Sequence, residues 1–377
     1  MVSPRSWLER EIPLQGAALR RAVAAYEDPL GAILAATAAR DVDDWVVTGC
    51  GDSLFAGACA EVWFAQRAGR RLRVVHAMTL SRYLFPSLGP RSLVFAVSHS
   101  GTTARVLEAA RAARSRGAFV VAVTAHGGSA LAAIADLWID NCVHDERSNT
   151  RTASFQAGCG LFRLLADGLA ESPGGDPRNL GALADAVDDF VEPARQQVAA
   201  LAGPLLTGDH WLVAGAGLGH ATALYGTAKL YEAATLPAHA CELEQLIHCE
   251  IFTIQAGSVV VLISPRGAGS SRARELASGL TELGATIVAV TNDDQLAAAC
   301  TAAVRLPAQM AEDDLPFLAA LPLQWLALRL ALARGEDPDL VANKRVNRPL
   351  IDRSAQWGDG DYSQPTATLP ASTPGFG

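Results

Sequence analysis

The sequence predicts an α/β fold made of two tandem, doubly wound parallel sheets, and two observations support this class. Short runs rich in Val, Ile and Leu alternate with longer segments of helical spacing, as in domains whose parallel strands are joined by crossover helices. The pattern also occurs twice, at a constant offset of 166 residues. The run that begins at Trp45 recurs at Trp211, and the run that begins at Ser92 recurs at Ser258. A repeat that keeps its frame over this distance indicates two like domains of the flavodoxin type.

The strands and helices follow from this alternation in chain order. An Ala- and Leu-rich stretch over 14–39 predicts a leading helix. In the first copy we expect strands near 44–48, 73–76, 92–97, 119–123 and 137–140, with helices near 53–67, 102–115 and 128–135. Connecting helices are expected near 152–169 and 179–201. In the second copy we expect strands near 211–214, 258–263, 286–290 and 303–306, closed by an apolar helix near 315–333.

The domain boundaries are predicted from breaker residues. A cluster rich in Pro and Gly at 171–177 is the best linker candidate. The end of the chain is rich in Pro, Gly, Ser and Thr, a composition that does not form a packed core. We therefore expect a leading helix over 1–40, a first domain over 41–170, a linker and helix over 171–205, a second domain over 206–350 and a flexible tail over 351–377.

Composition favours a globular protein of the cytoplasm. Half of the 377 residues are hydrophobic, 19% are charged, and the net charge is −8. The negative charge argues against nucleic acid or an anionic membrane as the main partner. No uninterrupted apolar run approaches the ~20 residues that span a bilayer. Residues 1–11 lack the apolar core of a signal peptide, so secretion is not expected. Seven scattered cysteines without CxxC pairs predict free thiols and no metal site.

A hydroxyl-rich segment, Ser98 to Thr103, follows the third expected strand. Ligands of doubly wound sheets bind beyond the carboxyl ends of the strands, and hydroxyls at a helix start suit a phosphate dianion. Capping by Ser100 or Thr102 is the simpler alternative, but a cap needs one hydroxyl and this segment supplies four. The counterpart at 264–267 reads Ser-Pro-Arg-Gly, so we expect the first copy to bind phosphate. His99 either contacts the substrate or fills space between the domains.

Two Gly-rich turns follow the opening strands, yet neither is a dinucleotide fingerprint. The third glycine of the GxGxxG pattern is replaced by Leu54 in the first turn and by His220 in the second. No nucleotide cofactor is therefore expected, and we predict no other cofactor. A close approach of the backbone to a small ligand is expected at Gly51, with Ser53 as an added donor.

The motifs of the first copy resemble the signature of the sugar isomerase, or SIS, domain: Gly49-Cys50-Gly51-Asp52-Ser53 and Ser98-His99-Ser100-Gly101-Thr102-Thr103. The isomerase half of glucosamine-6-phosphate synthase has two such domains, and the resemblance covers roughly residues 40 to 350. It implies a sugar phosphate held by Ser98, Ser100 and Thr103, with His99 beside them and with Ser53 and Thr152 near the sugar. It also implies a homodimer. Position 2 is Val rather than a nucleophilic cysteine, so we expect no amidotransferase half and no use of glutamine.

Glu232 and His248 are the acid–base candidates. Pro237 separates the helices on which we expect them, so the two side chains could converge. A carboxylate and an imidazole are the groups that aldose–ketose isomerisation needs, one to move a proton between C1 and C2 and one to open the ring. Without further context, Glu232 is equally a solvated helix residue and His248 a cap or a core histidine. The resemblance implies the catalytic roles, because two-domain sugar isomerases place a glutamate in a Lys-Leu-x-Glu context and a histidine at this spacing.

The resemblance leaves the reaction and one residue open. Here the histidine is followed by Cys-Glu, rather than by the Gly-Pro of the synthase, and this context is closer to the bifunctional phosphoglucose/phosphomannose isomerases. We expect isomerisation of a hexose 6-phosphate or amino-sugar phosphate through a cis-enediol or enediolamine. Deamination or deglycation of a ketosamine 6-phosphate is the alternative, and a non-catalytic sensor is a third. The family's C-terminal cation is assigned to Lys344, with Arg345 or Arg348 as other registers, and Arg151 could reach the phosphate.

Overall fold

The structure of this chain is a computed structural model that describes residues 5–170, 177–201, 205 and 208–339. Lys344, its alternatives Arg345 and Arg348, the expected tail and most of the expected linker lie outside the described residues. The described chain forms two five-stranded parallel sheets. This architecture confirms the predicted fold class.

The strands of the first sheet are β1 (Asp44–Gly49), β2 (Leu72–His76), β3 (Ser92–Val97), β4 (Phe119–Thr124) and β5 (Leu137–Asp140). Those of the second are β6 (Trp211–Gly215), β7 (Ala238–Glu242), β8 (Val259–Ile263), β9 (Thr286–Thr291) and β10 (Ala302–Arg305). The helices are α1 (Trp7–Glu11), α2 (Gln15–Ala25), α3 (Glu27–Arg40), α4 (Asp52–Ala68), α5 (Ala77–Thr79), α6 (Ala104–Ser115), α7 (Ala130–Ile134), α8 (Ala153–Gly168), α9 (Pro177–Ala200), α10 (Leu218–Ala234), α11 (Leu243–His248), α12 (Ser270–Glu282), α13 (Asp294–Ala299) and α14 (Leu315–Ala333).

The two sheets share one strand order and one register. The first runs β2-β1-β3-β4-β5 and the second, in equivalent order, β7-β6-β8-β9-β10. Trp45 pairs with Leu72 and Leu93, and Trp211 pairs with the residues 166 positions further on, Ala238 and Val259. The repeat in the sequence is therefore a repeat of hydrogen-bonded register, which explains why it keeps its frame.

The turns after the opening strands repeat the same backbone conformation. Gly51 has φ 56° and ψ −133°, and Gly217 has φ 54° and ψ −122°. A side chain is strained in this region, so glycine is required where the chain turns sharply from strand into helix. Each turn aims the start of the following helix at the carboxyl edge of its sheet, where ligands of this fold class bind.

The domains share a continuous apolar core. Helices cover both faces of each sheet, so the central strands β3 and β8 are buried along their whole length. Between the sheets, α4 packs on α8 and α10, and α10 packs on α14. The helical stretch Glu312–Ala333 is long and apolar enough to cross a membrane, but 89% of that apolar window is buried in the protein. It is the core helix that joins the second domain to the first.

Two predicted features differ from the structure. The leading helix over 14–39 is divided at Tyr26 into α2 and α3. Pro29 has no N–H to donate to the carbonyl of Ala25 one turn earlier, so the helix restarts there. Strand β7 was not predicted. The repeat indicates its position, because β7 lies 166 residues after the expected strand at 73–76. The nine predicted strands lie within one residue of their observed bounds.

Gly217 offers a test of the strained turn, because an added Cβ would have no neighbour within 4 Å and the cost is that of the backbone alone. Gly217→Ala should lower the free energy of unfolding by about 1–3 kcal/mol. Gly31→Ala, in the middle of α3 and also without a neighbour within 4 Å, is the matched control. It should raise the free energy of unfolding by about 0.5–1 kcal/mol. Urea unfolding measures both, and equal effects would contradict the strained turn.

Candidate active site

A cavity of about 280 Å³ lies at the carboxyl edge of the first sheet, where α10 of the second domain closes it. Its walls come from the turn between β1 and α4, the loop between β3 and α6, the start of α8 and one residue of α10. Eight of the predicted site residues line it: Gly51, Ser53, Ser98, His99, Ser100, Thr103, Arg151 and Glu232. Side chains predicted from separate motifs of both copies thus meet at one small cavity.

The hydroxyl loop is held in place by its own hydrogen bonds. Ser98 is buried, and its Oγ lies 2.8 Å from Thr103 Oγ1 and accepts from the N–H of Gly101 at 3.2 Å. Ser100 Oγ lies 3.0 Å from Thr102 Oγ1. Gly101 has φ 64°, and a Cβ there would lie 2.2 Å from Ser129 Oγ. No side chain caps the start of α6. The hydroxyls therefore form a preorganised loop at an uncapped helix start, which is an arrangement that suits an anion.

The equivalent loop of the second copy already holds a carboxylate of the protein. Ala268 N–H, the counterpart of Thr102 N–H, donates to Glu312 Oε2 at 3.2 Å. A Cβ on Gly267 would lie 2.1 Å from the same carboxylate. The side chain of Arg266 turns away to donate to the carbonyl of Asn292 at 3.1 Å. Glu312 thus occupies the position at which an anion would sit in the second copy.

His99 is a neutral side chain in the cavity wall. Burial is the main cause that lowers its pKa to about 4, and the positive charge of Arg151 adds to it. Asn141 lies with its Nδ2 3.1 Å from His99 Nδ1, while its Oδ1 accepts from Val143 N–H at 3.1 Å. This arrangement orients the amide so that Nδ2 donates to Nδ1, which assigns the ring proton to Nε2. His99 therefore offers the cavity an N–H donor rather than a positive charge.

Arg151 supplies the cationic side chain in the described wall of the cavity, and Glu146 orients it. The Arg151 guanidinium donates to the carbonyl of Glu146 at 2.8 Å and lies 3.5 Å from its carboxylate. The same carboxylate, which is 1% exposed, accepts from the N–H and the hydroxyl of Thr152. Thr152 is buried and does not line the cavity; its hydroxyl serves to hold Glu146. The side chain of Thr152, which was predicted to lie near the sugar, is therefore not part of the cavity wall.

Glu232 belongs to an ion cluster that crosses the domain interface. Lys229 Nζ donates to Glu232 Oε2 and to Asp52 Oδ2, both at 2.6 Å, and to the carbonyl of Arg151 at 3.3 Å. Lys229 is completely buried, whereas the side chains of Asp52 and Glu232 are 13% and 35% exposed. Burial opposes the charge of Lys229, but the two carboxylates outweigh it and raise its pKa. Lys229 therefore remains an ammonium.

His248 lies outside the cavity of its own chain. It ends α11, its side chain is 70% exposed, and its Nε2 lies 3.5 Å from Glu244 Oε1. His239, another histidine of this region, lies 3.1 Å from Glu250. Within one chain the structure thus brings the predicted base to the phosphate-type loop and leaves the predicted ring-opening group on the surface.

Three cavity residues with oxygen- or nitrogen-bearing side chains were missed by the sequence analysis: Asp52, Asn141 and Ser154. The sequence carried a signal for Asp52, because it stands inside the Gly-Cys-Gly-Asp-Ser motif at the first position of α4. Asn141 directly follows β5, at the carboxyl edge of the first sheet. In this fold class the carboxyl edge faces the ligand. Among the described residues, no group of three or more His, Cys, Asp or Glu side chains is placed to hold a metal ion.

Comparison with known proteins decides the family. The profile of the SIS domain matches residues 40–166 and 205–334. The chain belongs to the SIS domain family. Over 362 residues it is 29% identical to the isomerizing glutamine–fructose-6-phosphate aminotransferase of Corynebacterium diphtheriae, and the match covers 89% of this chain and 57% of that protein. This SIS-domain chain spans about half the length of the first curated relatives that it matches.

Solved structures show the same fold. The C-terminal domain of the glucosamine-fructose-6-phosphate aminotransferase of Francisella tularensis superposes with a TM-score of 0.77 at 18% identity, covering 89% of this chain and 98% of that one. A glucosamine-6-phosphate deaminase of Thermotoga maritima gives a TM-score of 0.72 at 22% identity, covering 89% and 97%. The SIS-domain chain therefore has the tandem architecture of both structures.

The state of His99 is testable by NMR. Its ring carbon Cε1 should titrate at about pH 4, so the ring stays neutral throughout the physiological range. An unfolded histidine takes up its proton near pH 6.5, so the unfolded chain binds more protons than the folded chain between these values. The free energy of unfolding should therefore fall as the pH falls from about 6.5 towards 4. His99→Gln, which also assigns the resonance, should lose this part of the pH dependence. A midpoint near pH 6.5 would contradict the assignment.

Proposed function

We propose that this SIS-domain protein is an aldose–ketose isomerase acting on a phosphorylated sugar or amino sugar of the hexose 6-phosphate class. The observation that carries the proposal is that the hydroxyl loop of the first domain and Glu232 of the second domain line one cavity. An anion-binding loop and a carboxylate base in one cavity are the two elements that proton transfer on a sugar phosphate requires.

The first domain would hold the phosphate. Ser100 and Thr103 offer hydroxyls, Ser98 fixes the loop, and the uncapped start of α6 offers backbone N–H groups. Arg151 and the neutral His99 add a charge and a donor on the adjoining wall. Gly51 and Ser53, which line the cavity from the turn before α4, would contact the sugar. The second domain lacks room for this role, because Glu312 fills the equivalent loop.

Glu232 would carry the proton. As a base it would take the proton from C2 of the open-chain aldose and return it to C1, with a cis-enediol, or an enediolamine for an amino sugar, between the two steps. An ammonium has three N–H donors, and Lys229 uses all of them on Asp52, Glu232 and the carbonyl of Arg151. Lys229 therefore orients Glu232 rather than touching substrate. Lys344, which lies outside the described residues, keeps its proposed role beside the enediolate oxygens.

We further propose a cytoplasmic homodimer in which His248 of one subunit opens the ring in the cavity of the other. Two observations support it: the side chain of His248 is 70% exposed, and Phe252, four residues later, is 86% exposed. A large exposed aromatic side chain beside a functional candidate is typical of a protein interface. No cofactor, nucleic acid or membrane is part of this proposal.

The test of the proposed base is Glu232→Gln. Without a carboxylate to accept the C2 proton, turnover should fall by about 10²–10⁴-fold while phosphosugar binding is largely kept. NMR in heavy water, with a panel of hexose 6-phosphates and amino-sugar 6-phosphates, measures deuterium exchange at C2. Binding is measured by calorimetry with the same compounds.

The control for this variant is Glu282→Gln, an exposed glutamate at the end of α12 in the same domain. It should exchange deuterium at the rate of the unsubstituted enzyme. Near-normal exchange in Glu232→Gln would remove Glu232 from the mechanism. An unsubstituted enzyme that exchanges no compound of the panel would favour a non-catalytic sensor.

Cleavage of a C–N bond is the second candidate. Asp52 and Glu232 bring two carboxyl groups to the cavity, and their oxygens are acceptors for the N–H donors of a substrate that carries an amine. In this reaction, deamination or deglycation of a ketosamine 6-phosphate, the same base would act and ammonia or an amine would leave. Release of ammonia or amine in the panel above would select this reaction over plain isomerisation.

The shared site predicts complementation between inactive variants. Glu232→Gln and His248→Gln homodimers should each be inactive, but a mixed dimer would contain one site with both intact residues. Random reassortment makes half of the dimers mixed, so the mixture should recover about a quarter of the normal activity. Activity is measured before and after mild dissociation and reassociation of the mixed variants. Recovery of no activity, with mixed dimers shown by mass spectrometry, would place both residues in the same subunit's site. An active His248→Gln homodimer would remove His248 from the mechanism.

A further inference from the structure

Asp52 is a charged side chain of the cavity that no step of the proposed reaction uses. It begins α4 in the first domain, while Lys229 and Glu232 stand one turn apart on α10 in the second. The side chain of Asp52 is 13% exposed, and only its Oδ2 is bound by Lys229. Within the described residues its Oδ1 has no hydrogen-bond partner and is shielded from solvent. The role of the Asp52 carboxylate is therefore to pair with the charge of Lys229, and it takes no part in a wider hydrogen-bond network of the described residues.

The ammonium of Lys229 is divided equally between two carboxylates. Its distances to Asp52 Oδ2 and to Glu232 Oε2 are both 2.6 Å, and its third donor goes to a neutral carbonyl. One completely buried positive charge thus faces two carboxylates that line the cavity. Two carboxyl groups that share one ammonium cannot lose their protons independently. Ionisation of the first places a negative charge close to the second, and this charge opposes the second ionisation.

We propose that Asp52 is a positioning residue which shares the ammonium of Lys229 with Glu232, so that the charge state of Asp52 sets how strongly Lys229 holds the base. The inference rests on the proposed function, which assigns the role of the base to Glu232. Burial raises the pKa of Asp52 and Lys229 opposes the rise, which agrees with a pair in which one carboxyl keeps its proton towards neutral pH.

Other titratable groups surround the pair and remain unchanged in the test. Arg151 and His99 line the same cavity, Glu146 pairs with Arg151, and the Tyr225 ring lies 4.7 Å from Lys229 Nζ. Burial raises the pKa of Tyr225 well above its ordinary value, so the phenol stays neutral. Because these groups are common to the unsubstituted enzyme and the Asp52 variants, a difference between them reports on Asp52.

The experiment follows the side-chain carboxyl carbon of Glu232 by ¹³C NMR in protein labelled at glutamate, with Glu232→Gln to assign the resonance. In the unsubstituted protein this carbon should respond to pH in two steps, one for its own proton and one for that of Asp52. In Asp52→Asn, which keeps an acceptor for Lys229 but removes the charge, the second step should be lost. Asp52→Glu restores the charge and should restore two steps.

Asp43→Asn is the matched control. Asp43 precedes β1 at the opposite end of the first sheet and pairs with Arg91, so its loss should leave both steps in place. A single step in the unsubstituted protein, or two steps that persist in Asp52→Asn, would overturn the inference. Near-ultraviolet circular dichroism confirms the native packing of each variant. The titration needs no substrate, so activity that survives Glu232→Gln would defeat the proposed function while leaving the coupling of the pair measured.

Discussion

The buried ammonium of Lys229 is the constraint on which the arrangement of this site depends. A completely buried charge is costly unless it is paired and its donors are satisfied. Lys229 meets both conditions only when Asp52 of the first domain and Glu232 of its own helix approach it together. The third acceptor, the carbonyl of Arg151, comes from the segment that leads into α8. Three parts of the chain are thus fixed around one nitrogen, and the same three parts line the cavity.

That constraint also explains the close association of the domains. Apolar side chains of α4 and α10 belong to one continuous core, and the ion cluster joins the same two helices at the cavity. Removing either carboxylate would leave a buried charge less well compensated, which links the integrity of the site to the packing of the domains. A second group of buried polar side chains connects the same region. Gln15 Nε2 donates to Gln324 Oε1, and Gln324 Nε2 donates to Tyr225 Oη, both at 2.7 Å.

The duplication has kept its backbone and changed its chemistry. Both copies have the same strand order, the same register and the same strained glycine after the first strand. In the first copy the loop after β3 offers hydroxyls and an uncapped helix start. In the second copy a carboxylate from Glu312 binds the equivalent backbone N–H. A fold of this class offers ligand positions at the edge of each sheet, and here the protein fills one of them itself.

The fold class, the repeat and eight of the residues that line the cavity could be predicted from the sequence. Alternating β-branched strands, helical spacing and the Gly and Ser/Thr turns are local patterns. Such patterns can be recognised in the sequence alone. The division of the leading helix at Tyr26 was also written in the chain, in Pro29. The tertiary structure was needed to show that Asp52 and Glu232, 180 positions apart, share one ammonium, and that His248 lies at the surface. Contacts of this kind are set by how two domains pack, and the cost of burying Lys229 selects the packing that satisfies it.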